Sequence, residues 1–179
     1  STTQIWDLQG NVVTTLLEKP LQENLPRGYD VVTPGPRNYG WRSDRPATIM
    51  WVEALDEGDY HANEMQYHDQ VYMLDAPFAG DPVPFIATEK RYQGILWGND
   101  NLAMLSEGLS KSRIRVTSTF NPSDPQATLK KIFEINADDK YNDPGFPITT
   151  ANSYGRQVLL LADRGRSLYL SGQGASPEG

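Results

Sequence analysis

An all-β fold is what the sequence predicts, on three observations. Short apolar runs recur along the chain, 13 prolines and 15 glycines among 179 residues fall between them, and pairs of segments repeat one another in a degenerate way. Proline and glycine both disfavour helix interiors, so few windows are long and uninterrupted enough to form one. The one helical expectation is a turn or two around Asn63 to Asp69.

Strands are expected, in chain order, at Thr3 to Leu8, Asn11 to Leu17, Thr48 to Leu55, Gln70 to Leu74, Val83 to Ala87, Gly94 to Trp97, Leu102 to Ser106, Arg113 to Thr119, Thr128 to Ile135, Gln157 to Ala162 and Ser167 to Ser171. These runs carry β-branched, aromatic or other apolar residues bounded by turn formers, the composition that suits a pleated, half-buried surface. Gln9-Gly10-Asn11 joins the first two and has the chemistry of a tight hairpin turn, so antiparallel pairing follows.

Internal repetition separates a sandwich from a propeller. Gln4-Ile5-Trp6-Asp7-Leu8 resembles Gln70-Val71-Tyr72-Met73-Leu74, each followed by a turn and a second strand ending Leu17-Glu18 or Thr88-Glu89. Trp41-Arg42-Ser43-Asp44 resembles Trp97-Gly98-Asn99-Asp100, and each leads into a strand bearing a glutamate, Glu53 or Glu107. That spacing is a little longer than a blade of about 40–50 residues, and the acidic insertion from Asp56 to Asp69 absorbs the excess. The expectation is a partial β-propeller of about three to four antiparallel four-stranded blades, some incomplete. The whole chain would be one domain: 1–36 the end of one blade plus a linker, 37–91 a blade, 92–136 a blade and 137–179 a partial blade. In each Trp-x-x-Asp step the Asp is expected to accept amides of its own turn, with the Trp packed between blades.

Sixteen basic against 23 acidic residues give a net charge of -7, and no stretch clusters Lys and Arg with aromatics. This disfavours nucleic acid and anionic membrane as partners, because both are bound largely through concentrated positive charge. No apolar run approaches the roughly 20 residues of a membrane helix, and the start, STTQIWDLQG, lacks the pattern of a signal peptide. Lacking an initiator Met, the chain is expected to be a processed protein or a segment of a longer one. With no cysteine, disulfides, thiol catalysis and Cys-ligated zinc are excluded.

Candidate chemistry is sparse. Ala151-Asn152-Ser153-Tyr154-Gly155 approaches a G-x-S-x-G elbow, but a β-type run follows it and both histidines, His61 and His68, precede Ser153, against the elbow's Ser–acid–His order. His61, Glu64, His68 and Asp69, beside Asp56, Glu57 and Asp59, fit no standard metal spacing and are expected in a solvated acidic loop. Asn136 to Gly145 is rich in oxygen ligands but lacks the register of a calcium loop. No phosphate-binding fingerprint occurs, so neither a metal nor a cofactor is expected.

Gly35-Pro36-Arg37, Trp41-Arg42-Ser43-Asp44-Arg45-Pro46 and Trp51-Val52-Glu53-Ala54 with Asp56 resemble the propeller region of prolyl oligopeptidase-superfamily serine peptidases, in the glutamyl endopeptidase-like branch. Tyr141-Asn142-Asp143-Pro144-Gly145 and the tail Gly172 to Gly179 resemble further stretches of that region. The resemblance implies a non-catalytic part that gates or filters peptide substrates for an α/β-hydrolase domain in the parent chain, in a periplasmic or secreted setting. It carries over no catalytic residue, so this chain alone is expected to be inactive. It also implies a substrate-reading role for Arg37, Arg42 and Arg45, placed near an inner-strand end where propeller pores open, with surface or intra-turn ion pairs as the alternative. Open blade edges are expected to favour self-association. The alternative function is an independent β-propeller protein-interaction module unrelated to proteolysis.

Overall fold

The computed structural model describes residues 1–20, 27–62, 64–124, 126–172 and 174. Strand follows strand: β1 (Thr2–Trp6), β2 (Val12–Glu18), β3 (Arg37–Trp41), β4 (Thr48–Ala54), β5 (Asp69–Asp75), β6 (Val83–Thr88), β7 (Arg91–Asn99), β8 (Leu102–Leu109), β9 (Ile114–Phe120) and β10 (Lys130–Asn136). Shorter pieces complete it: β11 (Phe146–Pro147), β12 (Thr149–Ala151), β13 (Gln157–Leu159), β14 (Leu161–Ala162), β15 (Ser167–Leu168) and β16 (Leu170–Ser171). A single 3₁₀ turn at Asp163–Gly165 is the helical element among the described residues. No helix there is long and apolar enough to cross a membrane.

Two four-stranded antiparallel meanders dominate, ordered β3-β4-β5-β6 and β7-β8-β9-β10. A β1-β2 hairpin precedes them, and the pairs β11-β16, β12-β13 and β14-β15 follow. Most successive strands are joined by turns too short for a crossover, and the longer loop between β4 and β5 also returns the chain antiparallel. Strand β4 is buried on both sides, and alternation sends its side chains to two cores. Ile49 and Trp51 meet Ile5 of the hairpin and Leu74. Met50 and Val52 join Val71, Ile86, Trp97, Ala103, Leu105 and Phe120, closing the space between the two large sheets. Rings of Phe85, Trp97 and Phe120 meet at centroid distances of 5.7–6.1 Å.

Most expected strands are present within a residue or two, with exceptions of clear origin. Strand β3 was not among them, since Gly40 interrupts its apolar pattern and supplies no side chain to pack. The run from Gln157 to Ala162 divides into β13 and β14 because the Leu160 amide donates to Ile148 O at 2.9 Å, outside either ladder. Residues 64–68 are not helical, and the remainder of that expectation, Asn63, lies outside the described residues. So does most of the tail: Gln173 and residues 175–179.

The Trp-x-x-Asp steps diverge. Trp97 is buried between the large sheets, whereas Trp41 is partly exposed and meets Phe78 edge-on at 5.8 Å. Asp44 receives the Arg42 guanidinium in place of backbone amides. In the second step Asn99, not Asp100, accepts the amides of Asn101 and Leu102.

Leu105 is fully buried on β8 in the core shared by both sheets. Leu105→Ala is expected to cost about 2–5 kcal/mol through lost burial and a residual cavity. Val83→Ala, at an exposed position on β6, should change stability by less than about 0.5 kcal/mol. Urea unfolding of the two variants measures the difference.

Candidate functional site

The turns between β3 and β4, β7 and β8, and β12 and β13 gather at one end of the sheets. Arg45 Nη2 reaches Asp100 at 3.1 Å. Arg156 donates to the carbonyls of Arg42, Arg45 and Pro46 at 2.6–3.0 Å, and Asn152 Nδ2 donates to Ser43 O at 2.7 Å. The Arg42 guanidinium lies between sheets, bound to Asp44 at 2.7 and 3.0 Å and stacked 4.0 Å above Trp97. Such a planar cation suits a site that is both aromatic and anionic.

A denser cluster forms at the opposite end, built by the chain before β3, the loop after β4, the start of β5 and the start of β7. Arg91 donates through Nη2 to Asp56 at 2.8 Å, through Nη1 to Asp69 at 2.8 Å and through Nε to Asp30 O at 2.7 Å. His68 Nδ1 lies 2.7 Å from Asp56 Oδ2, and its ring stacks on Tyr60 with centroids 3.9 Å apart. Asp69 also accepts the Tyr92 amide at 2.8 Å, and Asp30 accepts the Ser110 amide. Asp56, Asp69, His68 and Arg91 are all buried. The acidic stretch expected to be solvated is therefore internal at its key positions. Arg91 makes this tolerable, since charges leave water only when paired and hydrogen-bonded.

Local backbone shapes the cluster. Val32 N donates to Gly58 O at 2.8 Å, while Gly58 adopts φ +92° and a Cβ there would stand 2.2 Å from Val32 O. Only glycine allows that approach. The Gly58 amide in turn donates to Asp56 Oδ1 at 3.0 Å. Burial pushes the Asp56 carboxyl up, but the hydrogen bonds from His68 and Arg91 and the Arg91 charge outweigh it, leaving Asp56 below its ordinary value.

The three arginines expected to read substrate separate. Arg37 is largely buried, with Nη2 2.5 Å from Asp69 Oδ2, yet neither terminal nitrogen is directed well enough for a hydrogen bond. The contact is thus an ion pair by proximity. Arg42 is enclosed by Asp44 and Trp97. Arg45 stays partly exposed. The histidines also part, His61 to Asp30 at 3.3 Å and His68 to Asp56. Ser153 sits exposed in the β12–β13 turn, at the end of the sheets opposite the Asp56–His68 pair. Neither histidine can serve it as a base.

Similarity to known proteins covers the whole chain. Probable glutamyl endopeptidase, chloroplastic, of Oryza sativa subsp. japonica is 32% identical over 181 residues, and the protein of the same name in Arabidopsis thaliana is 33% identical over 182. Each alignment takes in 98% of this chain and 19% of the relative. The chain thus spans about a fifth of the length of the curated relatives it matches. No protein-family model matches it. No solved structure matches it either.

Sequence reasoning missed the Arg91 cluster, although a signal existed. His68 precedes β5 and Asp69 opens it, where polar groups next to apolar residues have to find partners. Asp56→Asn is expected to cost about 3–5 kcal/mol, because it leaves part of the Arg91 charge buried and uncompensated. As the folded carboxyl titrates below its unfolded value, the stability it contributes is present above about pH 4 and lost as pH falls through the folded pKa. Urea midpoints of wild type and Asp56→Asn should therefore converge as the pH is lowered below the ordinary carboxylate range.

Proposed function

We propose that this chain is a non-catalytic segment of the β-propeller of a prolyl oligopeptidase-like serine peptidase, where it gates or filters peptide substrates. Similarity to proteins named glutamyl endopeptidase over 98% of the chain carries the reading. The two successive four-stranded meanders with equivalent turns at one end support it, since that is the layout of consecutive blades. In this reading β1-β2 supplies the last strands of one blade, β3–β6 and β7–β10 are full blades, and the pairs after β10 belong to a partial one. Gating is steric: a ring of rigid blades leaves an opening that admits flexible peptides and refuses folded proteins. The partner would be an α/β-hydrolase domain elsewhere in the same polypeptide. Arg45 is the best placed of the three arginines to meet a peptide carboxylate, since its Asp100 pair is solvent-exposed and weak.

The chain alone should leave glutamate-containing peptides uncut and take no fluorophosphonate label. Labelling at Ser153 would overturn this. In the full-length polypeptide, excising the segment should raise cleavage of a folded protein relative to a short peptide, and Arg45→Ala should raise KM for glutamyl peptides. An unchanged ratio would favour an interaction module unrelated to proteolysis.

Incomplete blades leave uncovered faces. Trp6, Leu8, Val12 and Val13 are exposed on the hairpin, and Phe146 and Tyr169 on the pieces near the other terminus. Apolar patches of this kind drive association, so the isolated chain should sediment faster as concentration rises. A strictly monomeric, thermally robust species would contradict the open-edge arrangement.

A further inference from the structure

A cleft of about 660 Å³ is lined by residues of both large sheets, from β5 and β6 on one and β8, β9 and β10 on the other. Glu107 of β8 lines it while being only 4% exposed. Its Oε2 accepts the Lys90 amide at 2.8 Å, but no Lys, Arg or His stands within ion-pair distance among the described residues. Burial pushes this carboxyl up, and the Lys90 amide and ammonium only partly counter it. Glu107 is thus a buried acid held by amides and lacking a counter-cation, unlike Asp56 and Asp69.

The surrounding charges favour a cation. Glu89 and Lys90 line the cleft from the turn before β7 and act on the carboxyl, and Lys131 and Glu134 line it from β10 and Tyr67 from the loop before β5. The Tyr60 hydroxyl senses the Glu107 charge as well. Lys131 is paired with Glu134, leaving two carboxylates against one ammonium. Phe85, Ile86 and Leu129 add apolar surface to the same cleft, beside the polar Gln70, Ser118, Gln126 and Thr128. A ligand suited to both kinds of surface has an alkyl stem and a cationic, multiply donating head.

We propose that this cleft binds the side chain of a peptide arginine, its guanidinium on Glu107 and its methylenes along Phe85, Ile86 and Leu129. The net charge of -7 draws such cations towards the chain. The inference stands independently of any role in proteolysis.

The test is a heteronuclear NMR titration of the whole chain with N-acetyl-arginine methylamide, with N-acetyl-norleucine methylamide as the uncharged control. Saturable shifts are expected at the amides of Lys90 and Glu107 with the arginine probe and not with norleucine. Affinity should rise with pH as the carboxyl, which burial holds above its ordinary value, ionises, and Glu107→Gln should weaken it about tenfold or more. Equal binding of both probes, no saturable shift, or an unaltered affinity in a folded Glu107→Gln variant would overturn the proposal. Should Glu107→Gln not fold, the wild-type pH series decides, and a flat series overturns it.

Discussion

Arg91 is the residue on which one whole end of the molecule depends. Its five N–H donors lie in one plane, and the structure uses that plane to join three segments: Asp30 before β3, Asp56 after β4 and Asp69 at the start of β5. A lysine would offer the same charge without the fork. The bridge also fixes where β7 begins, because the Tyr92 amide next to Arg91 binds the same Asp69 carboxylate. The Arg91–Asp69 ion pair thereby ties the start of the second large sheet to the first.

The other end is fastened in the same currency by different means. Arg42 lies over Trp97 of the neighbouring sheet, and Arg156 binds three carbonyls of the turn that Arg42 opens. Between the two ends apolar packing, centred on Val52, Val71 and Leu105, holds the sheets together. Apolar burial is nondirectional and supplies most of the driving force, whereas the planar cations at the ends are directional and fix register. The arginines drawn inside, Arg37, Arg42 and Arg91, are matched by the buried carboxylates of Asp30, Asp56, Asp69 and Glu107, so the net charge of -7 resides on the surface largely undiminished.

Strands were legible in the sequence where side-chain alternation and turn chemistry agree. Thr48 to Ala54 is apolar at nearly every position, as a strand buried on both faces must be, and it is the strand that feeds both cores. Gln9-Gly10-Asn11 gave the hairpin because Gly10, at φ +87°, takes the left-handed conformation that the turn requires. Where local rules conflict, legibility fails. β3 has a glycine in its interior, and β11 is a two-residue pairing that ends in proline, too short for any periodic signal.

The ionic cluster failed to show for a different reason. Asp30, Asp56, Asp69 and Arg91 are spread along the chain with no common spacing, so no pattern groups them before the sheets are assembled. Acidic residues near turns are usually solvated, and nothing local separates Asp56 from its exposed neighbour Glu57. What does separate them is the glycine at 58, whose φ of +92° brings the loop against Val32 and turns the Asp56 carboxylate inward to accept its amide. A buried charge in a β-meander is therefore signalled less by the charged residue than by the backbone position beside it that tolerates no side chain.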